Sequence, residues 1–70
     1  MILDVIREIT EEKRTAHRFP DYALFVELYR RVGGERRALS TELRELRDAG
    51  FIRIGRTVNG AYLQLIEDDL

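Results

Sequence analysis

Cysteine and tryptophan are absent from this chain of 70 residues, and proline, methionine and histidine occur once each. Without cysteine there is no disulfide framework and no thiolate to act as nucleophile or ligand. His17, standing alone, cannot furnish a zinc site without several carboxylate helpers. Long apolar runs are missing too: the longest, Ala23–Val26, falls far short of the roughly 20 residues that a bilayer crossing requires. The first residues also lack the basic stretch followed by an apolar one that marks a secretory signal, so the expected address is cytoplasmic. What is present is a hydrophobic fraction of 44% beside a charged fraction of 36%. That balance buries a core and solvates a surface, and it excludes a disordered or fibrous chain. The length leaves room for one small domain.

The net charge of −1 conceals an uneven distribution. From Arg30 to Arg56 there are eight arginines (30, 31, 36, 37, 44, 47, 53 and 56) against four acids, a local +4. The remainder carries Arg7, Lys13, Arg14 and Arg18 against nine acids, a local −5. Such asymmetry within one small domain points to a basic working surface and an acidic back.

Hydrophobic spacing divides the chain into three helices and a hairpin, an α+β pattern. Ile2, Val5, Ile6, Ile9, Lys13 and Ala16 recur at steps of three and four with charged residues between them, which predicts a first helix over about 2–15. Phe19-Pro20-Asp21 interrupts it, and Asp21 is placed to cap a second helix over about 22–32, with Leu24, Phe25, Leu28 and Val32 on one stripe. Gly33-Gly34 ends that helix. A third helix fits about 35–49, burying Leu39, Leu43, Leu46 and Ala49 and stopping at Gly50.

The period then changes to two over about 51–66. Asn59-Gly60 is the strongest short turn signal available, since it accepts the two positive φ angles of a type I′ turn. With that pair at the centre, Val58 faces Ala61, Ile54 faces Leu65 and Tyr62 faces Thr57. Ile52, Ile54, Leu63 and Leu65 then share the core face, and Arg53, Gly55, Tyr62 and Gln64 the other. Glu67-Asp68-Asp69-Leu70 is a short acidic tail.

This order resembles the winged helix-turn-helix superfamily of DNA-binding domains. The residues that carry the resemblance are Phe25, Leu28 and Val32 of the second helix, Gly33 at the turn, Leu39, Leu43 and Leu46 of the third, then Ala49-Gly50-Phe51-Ile52 and the Asn59-Gly60 wing tip. It covers roughly residues 21–66, and the first helix fits by position. The resemblance implies a single winged-helix domain over residues 1–70 whose third helix enters a DNA major groove while the wing lies along flanking backbone. Two residues depart from the family pattern. Tyr29 stands where the second helix commonly has a small side chain facing the third, and Gly34-Glu35 stands where a Ser or Thr commonly caps the third. Both imply a wider crossing of the two helices.

On the third helix, Arg36, Arg37, Ser40, Arg44 and Arg47 fall on one contiguous polar arc, and Thr41, Glu42, Glu45 and Asp48 follow on the next. Opposite charges three or four residues apart would mark a merely solvated face, yet Arg44 with Asp48 is the only such pair. A major groove admits a helix and offers guanine O6 and N7 to a bidentate arginine, with Ser40 and Thr41 able to bond bases or phosphates. Arg53 and Arg56, with Asn59 near the tip, extend the basic surface onto the wing. The alternative is a solvated arginine-rich face, since surface arginines are common.

Nothing in the sequence assembles a catalytic site. His17 has no Ser or Cys nucleophile near it in sequence and sits where a helix ends, as a capping residue does. Glu11-Glu12 reads as a solvated face, and Gly33-Gly34 and Gly50 lack the Lys and Ser/Thr of a phosphate-binding loop. The expected protein is therefore no enzyme, takes no cofactor or metal, and shows no sign of a small-molecule ligand or a membrane. Its expected partner is double-stranded DNA, as a small transcriptional regulator, with homodimerisation through the first helix to match a two-fold symmetric site. A winged-helix module that docks on proteins is the competing expectation, because fold does not fix function and the whole chain is slightly acidic. The two differ in one structural respect: arginines engaged by the chain's own acids favour a protein partner, and a free positive face favours DNA.

Overall fold

The structure, a computed structural model, describes residues 2–19 and 21–66. The elements run α1 (Ile2–Thr15), β1 (Ala23–Leu24), α2 (Phe25–Val32), α3 (Arg36–Asp48), β2 (Ile52–Thr57) and β3 (Gly60–Leu65). Three helices and a terminal hairpin give the expected α+β arrangement. Met1, Pro20 and residues 67–70, the acidic tail, lie outside the described residues. Among the described residues no helix is long and apolar enough to cross a membrane.

The core gathers one face from every element: Ile6 and Ile9 from α1, Ala23 from β1, Leu28 from α2, Leu39 and Leu43 from α3, Ile52 from β2 and Leu63 from β3. Burying a Leu or Ile side chain contributes about 1.5–3 kcal/mol, so this cluster is the main source of stability. Thr10 is buried as well, and its hydroxyl donates to the Ile6 carbonyl at 2.9 Å, which leaves it satisfied. Lys13 follows the same apolar stripe of α1, and its side chain is only 14% exposed. Its ammonium donates to the Tyr22 carbonyl at 2.7 Å and to a Glu27 carboxylate oxygen at 2.6 Å, so one cation ties α1 to the residue before β1 and to α2.

α1 ends on two reverse bonds, Arg18 N–H to the Lys13 carbonyl at 2.8 Å and His17 N–H to the Arg14 carbonyl at 3.1 Å. That paired closure places its penultimate residue in the left-handed region, normally glycine's place. Here it is His17, at φ +55°. The histidine thus caps the helix through its backbone. α3 closes in the same way, with Phe51 N–H on the Leu46 carbonyl and Gly50 N–H on the Arg47 carbonyl, both at 3.0 Å.

The second helix starts three residues later than the sequence spacing predicts. Asp21 does not cap it, because its carboxylate accepts from Arg14 Nε at 2.6 Å. Ala23 and Leu24 instead extend and pair antiparallel with Leu63 and Tyr62. The hairpin therefore becomes a three-stranded sheet in the order β1-β3-β2. Leu24 takes the cap position at φ −90° and ψ 148°, and its N–H donates to the Glu27 carboxylate at 2.9 Å. Two residues carry no detectable strand period, which is why spacing missed them.

The hairpin turn also differs from expectation. Thr57 pairs with Gly60, so Val58 and Asn59 form the turn, Ile54 faces Leu63 and Tyr62 faces Gly55. A type I′ turn would need positive φ at both central residues. Neither has it, while Gly60 sits at +112°. The Thr57 hydroxyl supports the earlier turn by accepting from Asn59 N–H at 3.1 Å and donating to the Gly60 carbonyl at 3.2 Å. Because each residue's partner moves by two positions, the division of faces survives: Ile52, Ile54, Leu63 and Leu65 still point inward. The new register also explains Gly55. A Cβ there would lie 2.3 Å from the Tyr62 ring, which covers the glycine while stacking on Tyr22 at 4.6 Å between centroids.

Candidate nucleic-acid interface

Three residues, Gly33 to Glu35, separate α2 from α3. Gly33 and Gly34 take φ of +72° and +80°, a consecutive pair of left-handed residues that side chains other than glycine resist. The turn sends α3 on with Leu39 and Leu43 inward, packed against β2. Tyr29 is half-buried against the core, and its ring lies under the Arg36 guanidinium of α3.

Sequence reasoning did not find what lies beneath the first turn of α3. Phe25 and Tyr29, one helical turn apart on α2, stack nearly parallel at 6.3 Å and 9°. The Arg36 guanidinium lies 5.3 Å from the Tyr29 ring centre and 5.9 Å from that of Phe25. An arginine over aromatic faces is held by the ring quadrupole and keeps its outer N–H edge available. The signal that could have found it was the four-residue spacing of Phe25 and Tyr29 on the stripe facing α3.

Farther along α3, Ser40, Arg44 and Arg47 line one wall of a groove of about 330 Å³. Arg56 of β2 lines it from the wing side, and Phe25, Leu43, Ile54 and Leu63 contribute apolar surface. Arg56 stands there because even-numbered residues of β2 share the inner face. Arg53 pairs with Gln64 and belongs to the opposite face, so the structure does not bring the two wing arginines together. Asn59 is exposed in the turn and does not line the groove. Thr41 is exposed too, and its hydroxyl donates back to the Arg37 carbonyl at 3.0 Å.

The electrostatic division of the arginines is sharp. Arg31 forms a bidentate pair with Glu12, which holds that carboxyl below its ordinary value through the hydrogen bond first and the opposing charge after it. Arg47 reaches Asp48 at 3.3 Å, taking the acid that the four-residue spacing assigned to Arg44. Arg37, Arg44, Arg53 and Arg56 have no ion pair or hydrogen bond from their side chains among the described residues, and Arg36 engages rings rather than acids. Glu42 and Glu45 lie on the other flank of α3, beside Ile2 and Leu3 of α1. One face of α3 is positive, with Arg47 alone of its arginines paired to an acid among the described residues, and the opposite flank is acidic.

Comparison of the chain with protein-family models, curated proteins and solved structures finds no match.

Proposed function

We propose that the chain binds double-stranded DNA as a small winged-helix regulator, with α3 in the major groove and the wing against the backbone. The observation that carries this reading is that Arg44 of α3 and Arg56 of β2 line one groove without acid partners among the described residues, with Arg37 exposed and likewise unpaired on the same helix. Leaving several guanidinium groups close together costs folding stability through mutual repulsion, and a polyanion removes that cost on binding. Arg36 and Arg37 stand in the first turn of α3, where a helix laid in the major groove brings side chains to base edges. Titration of short duplexes at several salt concentrations tests the reading: affinity should fall steeply and linearly on a log–log plot as salt rises. A protein-docking role draws its support from the same fold, but the arginines it would expect to find neutralised are free.

A second copy of this chain is the proposed occupant of a different surface. Ile2, Leu3, Leu46 and Ala49 line an apolar groove of about 550 Å³ edged by Glu42 and Glu45. It lies on the acidic flank of α3, so pairing there leaves both arginine faces free for DNA. Arg7, one turn beyond Leu3 on α1, is exposed without an acid partner among the described residues and supplies complementary charge for Glu42 or Glu45 of the second copy.

A further inference from the structure

The groove between α3 and β2 joins two chemistries. It is lined by the exposed cations of Arg44, Arg47 and Arg56 and by the Ser40 hydroxyl, together with apolar surface of the less exposed Leu43 and Ile54. One repeat of a DNA strand has the same two parts: a phosphodiester with one negative charge and several acceptor oxygens, and a deoxyribose whose carbons are apolar. We infer that this groove seats a single backbone phosphate with its sugar, so that α3 and the wing close on the same strand at the same phosphate. The inference rests on the DNA-binding reading and refines it.

The geometry separates this arrangement from the simpler one, in which the helix reads bases and the wing holds a phosphate elsewhere. Arg56 shares the inner face of β2 with Ile52 and Ile54, and that face meets α3. It therefore lines the same groove as Arg44. Arg53 has the outward position and lies across the sheet from the groove. Bidentate guanidinium groups converging from two elements match the tetrahedral array of phosphate oxygens better than a lysine would. Arg47 adds charge while retaining its contact with Asp48.

The test uses the full chain and a duplex in which backbone phosphates are neutralised one at a time as methylphosphonates. Wild type, Arg44→Ala, Arg56→Ala, the double variant and Arg53→Ala are titrated, with circular dichroism establishing that each is folded. Arg56→Ala should weaken binding about tenfold at 0.1 M salt, uniformly across sequences, and lower the salt slope by about one. At one phosphate position, neutralisation should make both Arg44→Ala and Arg56→Ala silent, and the double variant should lose less than the product of the single losses. Arg53→Ala should stay within about twofold of wild type. Separate silencing positions for Arg44 and Arg56, or an Arg53→Ala loss equal to that of Arg56→Ala, overturns the shared seat while the DNA reading stands. Tighter capture of a free mononucleotide than of any duplex overturns the assignment to a DNA strand. A folded wild type that binds no duplex at low salt removes both.

Discussion

The Arg36 guanidinium lies 5.3 Å from the centre of the Tyr29 ring, across the gap between α2 and α3. The large ring of Tyr29 thus becomes the bed for the first arginine of the basic face. Packing and charge meet at this point: the stacked pair of rings lies under the Arg36 guanidinium, and an arginine held in place loses less entropy on contacting a ligand.

Tyr29→Leu keeps apolar volume and removes the aromatic face. A cation–π contact at an exposed site is worth about 0.5–1 kcal/mol, so duplex affinity should fall about two- to fivefold. Tyr29→Phe, which retains the ring, should restore it. Equal affinities for Tyr29→Leu and wild type would show that the rings do not position Arg36.

His17 makes a prediction about stability alone. It occupies the left-handed region at φ +55°, where a non-glycine residue costs about 1 kcal/mol. His17→Gly should therefore raise stability by up to about 1 kcal/mol, a rise in Tm of about 4–8 °C for a domain of this size. His17→Val should lower it, since a β-branched side chain tolerates that region least. A melting curve decides, and a lower Tm for the glycine variant would contradict the backbone role.

Much of the architecture was legible in the sequence, and the misses have physical causes. Lys13 fell on the apolar stripe of α1, and it is the cation that Glu27 and the Tyr22 carbonyl hold inside. Leu39 and Leu43 were found by period and are buried. β1 escaped because two residues have no period, and Asp21 misled because its partner Arg14 is seven residues away. The hairpin turn escaped because a Thr57 side-chain bond outweighed the Asn-Gly preference. For the site, the run of arginines was visible. Its sorting was less so: the inner position of Arg56 follows from strand alternation, whereas the seat of Arg36 depends on a contact between two helices.

Glu27 sets a pH dependence. Burial pushes its carboxyl up, but the Lys13 hydrogen bond, the Leu24 N–H and the charges of Lys13 and Arg31 outweigh burial and hold it below its ordinary 4.5. A carboxyl depressed in the folded state contributes stability that is present above the unfolded value and is lost as pH falls through the folded one. Denaturant midpoints should thus decline as pH drops from about 5 to about 3. Glu27→Gln should be less stable than wild type near neutrality and show a shallower decline. An unchanged slope in that variant would place the acid sensitivity elsewhere.

Assembly is checked by sedimentation. The apparent mass should rise from that of the 8.2 kDa chain toward twice that value with concentration. Val32 is 42% exposed beside Ile2 at the edge of the apolar surface. Val32→Lys should therefore shift the equilibrium to monomer without altering the fold. A wild type that remains monomeric at high micromolar concentration would contradict pairing through α1.

The central claim is that α3 reads DNA, and selection from a random duplex pool, followed by titration of the enriched sequence, tests it most directly. Wild type should enrich a motif. Arg37→Ala should then cost about 1–3 kcal/mol at the selected duplex and relax preference at one base pair, as loss of a bidentate guanine contact does. Arg37 is exposed and its side chain has no partner among the described residues, so the variant should remain folded. If folded wild type enriches no sequence at low salt, or if Arg37→Ala leaves the selected motif and its affinity unchanged, α3 is not the reading helix.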